Sequence, residues 1–153
     1  MPPRYRNVLV AFDGSPESEL ALVHAVAIAQ AYRAKLALVA ILPPPPLLSW
    51  QAPGGMRGVY ETEQAELQER LREAADQIPE NLPVTTALFD GDPARELVRA
   101  ARDGEHDLIV MGSRGRGRVT TAVLGSVSNH VMHEAGIPVI VVHRPGGSPD
   151  LVA

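Results

Sequence analysis

Residues 112–129 read GSRGRGRVTTAVLGSVSN, the densest set of ligand-binding groups in the chain. Gly112 and Gly115 are separated by two residues, Gly115 and Gly125 by nine, and Ser126 follows directly. Glycine accepts positive φ and lets the main chain approach a ligand closely. Successive N–H groups in such turns form anion-binding nests. One corner of the stretch is Gly112, Ser113, Arg114, Gly115, Arg116 and Gly117. The other is Gly125, Ser126, Val127 and Ser128, where a helix opens and its first N–H groups lack intrahelical acceptors. Arg114, Arg116 and Arg118 add positive charge, and Ser126 and Ser128 add hydroxyl donors. These types at this spacing suit a polyphosphate gripped from two sides, by a nest and by a helix start.

Two familiar phosphate motifs do not fit. A P-loop requires a lysine after its second glycine, and the stretch has none. A dinucleotide fingerprint matches Gly115 and Gly117 but meets Thr120 where the third glycine belongs. Asp13 supplies one carboxylate, which suits a magnesium ion held mainly by phosphate oxygens. The histidines are His24, His106, His130, His133 and His143. His130 and His133 share a helix face but fall short of the three or four ligands a zinc site takes, so no protein metal site is expected. No residue stands out as a base for water, so hydrolysis of a bound nucleotide is expected to be weak at most.

These corners need elements to hold them. Asn7–Phe12 (NVLVAF) is an apolar run expected of a strand buried on both faces. Ser15 and Pro16 then suit the cap and first position of a helix over 16–33, with Leu20, Val23, Ala27 and Ala31 on one stripe. Lys35–Leu42 is the second strand, and the Pro/Gly-rich 43–58 a flexible loop. Val59–Ile78 is helical, with Leu67, Leu71, Ala74 and Ile78 as its core stripe. Strands over 84–89, 107–111 and 138–142 alternate with helices over 94–103, ended by Gly104, and 125–135. This alternation predicts an α/β fold, a single-domain open parallel five-stranded sheet with helices on both faces. Ligands of such sheets bind beyond the carboxyl ends of the strands at a topological switch point. The turn after the first strand (Asp13-Gly14-Ser15), the end of the second (Ala40-Ile41) and the loop from Gly112 should meet there.

At 153 residues the chain is the size of one domain, with a core over about 6–145 and a mobile tail over about 146–153. It has no cysteine, which excludes disulfides, thiolate metal sites and a cysteine nucleophile. The net charge of −4 disfavours non-specific nucleic-acid binding, which needs a basic excess. The apolar runs are too short to span a membrane, and no signal peptide opens the chain, so a cytoplasmic location is expected.

The glycine spacing, the opening NVLVAFDGSPES, the central DLIVMGSRGRG and the closing IPVIVVHRP together resemble the universal stress protein family over about 6–145. The resemblance implies a Rossmann-like, adenine nucleotide alpha hydrolase-like fold. It also implies membership of the ATP-binding branch, acting as a regulatory stress-response module. It implies that Asp13 lies by the nucleoside, that the Ala40 backbone meets adenine, and that Ala11 belongs to the nucleotide-binding set. Gly112, Gly115, Gly125, Ser126 and Val127 would supply the phosphate- and ribose-binding backbone. It further implies a homodimer, for which the apolar strand over 138–142 is suited if it lies at a sheet edge.

Other functions remain open on the residues. One is a slow ATPase, although Phe12-Asp13-Gly14-Ser15-Pro16 lacks the glycine-rich turn of ATP-pyrophosphatases. A second is a binder of AMP or cyclic AMP. RNA binding through the short Arg-Gly-Arg-Gly-Arg run is disfavoured for want of interleaved aromatics. Trp50, in the Pro-rich loop, is a candidate lid or partner contact.

Overall fold

Val8, Leu9 and Val10 are wholly buried, as a strand sandwiched between two helical layers must be. The computed structural model describes residues 2–44, 55–113 and 125–144. Its elements are β1 (Asn7–Ala11), α1 (Pro16–Tyr32), β2 (Lys35–Leu42), α2 (Gly55–Asp76), β3 (Val84–Asp90), α3 (Pro93–Asp103), β4 (Leu108–Gly112), α4 (Ser126–Glu134) and β5 (Val139–Val142). The strands form one five-stranded sheet in the order β3-β2-β1-β4-β5, every pair parallel. The expected α/β class, strand count and alternation are all present.

Period-two alternation divides the core. Val8, Val10, Leu36, Leu38, Leu108 and Val110 pack against α1 and α2. Leu9, Ala37, Val39, Ile109 and Met111 pack against α3 and α4. The α2 stripe Leu67, Leu71, Ala74 and Ile78 is buried as read from its spacing.

Two expectations need correction. The buried face of α1 is Ser18, Ala21, Ala25 and Ala29, whereas Val23 is 64% exposed and Ala27 and Ala31 face outward. Small side chains win this face because they let α1 settle close onto β1 and β4, and hydrophobicity alone does not report that. The 43–58 loop is shorter than expected, since α2 begins at Gly55 and takes Gly58 into its interior. A surface glycine in a helix costs only about 1 kcal/mol, which the long α2 absorbs. Gly104 ends α3 as expected; its φ is −86, and the left-handed residue is Glu105 at φ 53. A Cβ on Gly104 would lie 2.4 Å from His106 Cε1, so ring packing rather than turn geometry requires glycine there.

Candidate functional site

From the central β1 the chain builds outward through β2 and β3 on one side, then crosses to β4 and β5 on the other. The connection after β1 turns into α1 on one face, and that after β4 leads to α4 on the opposite face. A crevice therefore opens beyond the carboxyl ends of β1 and β4.

On the β1 side, Asp13 Oδ1 accepts the Ser15 N–H at 2.9 Å, and Gly14 adopts φ +84. Ser15 Oγ accepts the Ser18 N–H at 3.2 Å, the cap expected for α1. The Ser18 hydroxyl donates to Ser15 O at 2.9 Å and accepts the Asp13 N–H at 3.3 Å. Asp13 thus stands at the mouth with its carboxylate braced by the turn. Ser18, buried inside this network, was not legible from spacing; only its place on the first turn of α1 hints at the role.

On the β4 side, Ser113 donates its N–H to Val142 O at 2.9 Å, and its own carbonyl accepts the Gly125 N–H at 2.8 Å. These bonds tie the start of α4 to the end of β4. Gly125 is the N-cap of α4 and provides no side-chain cap. The N–H groups of Ser126, Val127 and Ser128 therefore begin a helix without intrahelical acceptors, at the carboxyl edge of the sheet. The partial positive charge of that terminus favours an anion.

Two expected ligand groups have protein partners of their own. Ser128 is 2% exposed, and its hydroxyl donates to Gly112 O (3.0 Å) and Ser113 O (3.2 Å). With its single proton so engaged, the side chain fastens α4 to β4 and is not a phosphate donor. Gly112 is a glycine because α1 presses on it: a Cβ there would lie 2.7 Å from Glu17 Cβ and 3.0 Å from Glu17 C. Glu17 Oε1 in turn lies 3.8 Å from Nε of Arg144, just past β5.

On the β2 side the register revises one residue. Val39 O accepts the Phe12 N–H at 2.8 Å, so Val39 presents its main-chain groups towards β1. Leu42 O accepts the Gly91 N–H at 3.1 Å, so Leu42 and, by alternation, Ala40 present theirs towards β3. Ala40 pairs with Leu88 and is wholly buried. Ile41 is the residue whose N–H and C=O face the crevice beyond the end of β1. Among the described residues no further rung joins β1 to β2 past the Phe12 bond. A peptide plane that could meet a base edge there is Ile41, one position beyond the expected Ala40. Ala11 pairs with Val39, and alternation counted from that rung places Ile41 on the β1 side.

Arg114, Gly115, Arg116, Gly117 and Arg118 lie outside the described residues, as does Trp50. The structure therefore brings together Ala11, Asp13, Gly112, Ser113, Gly125, Ser126 and Val127 around the crevice and turns Ala40 away from it.

The family model described as "Universal stress protein family" matches residues 4–143, nearly the whole chain. The chain belongs to the universal stress protein family. Universal stress protein Rv2005c of Mycobacterium tuberculosis is 38% identical over 143 residues, which cover 93% of this chain and 47% of that protein. The chain thus spans about half the length of the first curated relatives it matches. Universal stress protein MJ0531 of Methanocaldococcus jannaschii is 32% identical across 92% of this chain and 84% of its own. Among solved structures, a universal stress protein in complex with cAMP superimposes with a TM-score of 0.70 at 28% identity, covering 92% of this chain and 98% of that one.

Elsewhere in this universal stress protein domain, His24, His130, His133 and His143 are exposed. Among the described residues no three His, Asp or Glu side chains converge on a metal position, and no helix is long and apolar enough to cross a membrane. His106 differs: its Nδ1 is buried without a hydrogen-bond partner among the described residues. Burial pushes its pKa below the ordinary value, and the opposing pull of the Ala101 and Ala100 carbonyls and of Asp107 is weaker. It lines a groove of about 910 Å³ between α3 and β3, with Ala37, Val39, Ala87 and Phe89 as its apolar floor. That groove lies away from the crevice, towards the amino end of β2.

Proposed function

We propose that this universal stress protein domain binds an adenine nucleotide, ATP foremost, in the crevice between β1 and β4, and works as a nucleotide-dependent regulatory module. The observation that carries the reading is the uncapped start of α4, tied by Gly125 to Ser113 and set across the switch point from the braced Asp13 turn. The cAMP complex of a 28% identical relative supports an adenine nucleotide as the ligand class. In this reading the N–H groups of Ser126 and Val127 hold phosphate, while Ser113, its N–H given to Val142 O, fixes the start of α4 beside the end of β4. Arg114, Gly115, Arg116 and Gly117 join them on the strength of the sequence pattern. Asp13 and Ala11 flank the nucleoside, and the Ile41 peptide meets the base.

Magnesium fits this donor set. Asp13 is a single hard carboxylate at the mouth, and magnesium commonly takes one or two carboxylates, with phosphate oxygens and water completing its octahedron. When bound, the ion would neutralise charge on the phosphates, while the protein's share is orientation and charge complement. The reading is a binder first and a slow ATPase second.

The same reading includes a cytoplasmic homodimer. β5 is an edge strand, and its residues Val139–Val141 are only half-buried, as a strand awaiting a partner would be. A monomer in size exclusion at micromolar concentration would count against the dimer.

Mass spectrometry of nucleotide carried through purification, followed by calorimetry with ATP and cAMP, tests the ligand. Gly115→Val should cut ATP affinity by at least about tenfold, because a branched side chain blocks main-chain approach to phosphate. Unchanged affinity in that variant would refute the role given to the glycine loop.

A further inference from the structure

Helix α2 carries three arginines, Arg57, Arg70 and Arg72. Two of them pair along the helix. Arg57 Nε lies 3.0 Å from Glu61 Oε1, and Arg72 reaches Glu69 and, at 3.8 Å, Asp76. Arg70 has the same opportunity, with Glu66 four residues before it and Glu73 three after, the spacings at which helical charges meet. Among the described residues it forms no ion pair with either.

Its side chain crosses instead to the turn after β1. Arg70 Nη1 donates to Gly14 O at 3.4 Å. A Cβ on Gly14 would lie 2.7 Å from Nη1 and 3.0 Å from Cδ of Arg70. Gly14 is thus glycine for two reasons: its φ of +84, and the guanidinium laid over it. Any side chain at 14 would push the arginine away. The result is a cation that pairs with no carboxylate among the described residues, set over the residue that follows Asp13 at the mouth of the crevice.

A guanidinium offers five N–H donors in a planar fork that matches phosphate oxygens, and Gly14 O engages one. A cation at this mouth attracts the negative charge of a phosphate chain. We propose that Arg70 belongs to the nucleotide site as a specificity residue, favouring ligands with a chain of phosphates over monophosphates and nucleosides. This rests on the nucleotide reading above and deepens it by naming a residue of α2 that sets the preference for a chain of phosphates.

Calorimetry on the full chain with adenosine, AMP, ADP and ATP, magnesium present, tests it in the wild type, Arg70→Gln and Arg70→Lys. Arg70→Gln should lower ATP affinity about tenfold, as expected for loss of one hydrogen bond to a charged group. AMP should lose less and adenosine nothing. Arg70→Lys, which keeps the charge but not the fork, should fall between. The wild-type preference for ATP over AMP should also shrink with added salt. An equal loss for adenosine and ATP would mean that the arginine only props the Gly14 turn, and unchanged ATP affinity would overturn the proposal outright. A wild type that binds none of the four removes the nucleotide reading itself. A wild type that binds them, matched by both variants, sinks only the role of Arg70.

Discussion

Gly112→Ala separates helix packing from ligand approach as the reason for the first glycine of the phosphate pattern. The added Cβ would meet Glu17 Cβ at 2.7 Å, Glu17 C at 3.0 Å and Glu17 O at 3.1 Å. Two of those atoms are main chain, so no rotamer change relieves the clash. Helix α1 cannot lift away cheaply either, because Ala21, Ala25 and Ala29 are wholly buried along the same seam. Overpacking of this kind costs about 1–3 kcal/mol. For a chain of this size that lowers the thermal midpoint by about 2–12 °C, at roughly 2–4 °C per kcal/mol. Scanning calorimetry measures it, with Gly58→Ala as the control. Gly58 is helical, a Cβ there has nothing within 4 Å, and the substitution should leave Tm unchanged or slightly raised. Since the Gly112 Cβ would point at α1, ATP affinity should suffer less than in Gly115→Val. A Gly112→Ala protein with the wild-type midpoint and abolished nucleotide binding would refute the argument, showing that the glycine serves the ligand and not the helix.

Two other substitutions probe the framework. Ser128→Ala leaves the part-buried Gly112 and the buried Ser113 carbonyls without their hydroxyl donor, and urea denaturation should show a loss of about 1–2 kcal/mol. His106 gives stability a pH dependence of known sign. Its folded pKa lies below the ordinary value of 6.5, so its neutral form contributes fully above that value. The contribution is then lost as pH falls through the lowered folded pKa. His106→Gln should flatten the stability profile below about pH 6.5, and a profile as steep as that of the wild type would remove His106 as its source.

The relation to longer relatives bears on how such a module is used. The chain spans about half of Rv2005c, so that protein holds a further stretch of similar length beside the part that matches. A domain whose β5 is a half-buried edge strand can meet a second unit either within one chain or as a separate copy.

Much of this domain is written locally. Continuous apolar runs dictate strands buried on both faces, and Ser15-Pro16 and Asp92-Pro93 start helices by satisfying the first N–H groups and pre-setting φ. The alternation of such segments leaves a parallel sheet as the arrangement that buries them all. The glycine spacing, read with the strand before it, also marked one bank of the crevice. Each of these rests on interactions within a few residues of chain. The remainder depended on which distant atoms come into contact. Alanines rather than Val23 face the sheet because α1 lies so close to β4, and Gly112 is small for the same reason. Ser128 answers to carbonyls 15 and 16 residues away. Ile41 rather than Ala40 faces the crevice because strand register, fixed by pairing with β1 and β3, decides which way each peptide points. Arg70 passes over carboxylates on its own helix for a glycine 56 residues earlier, a choice made by the packing of α2 beside β1 and invisible in any window of sequence.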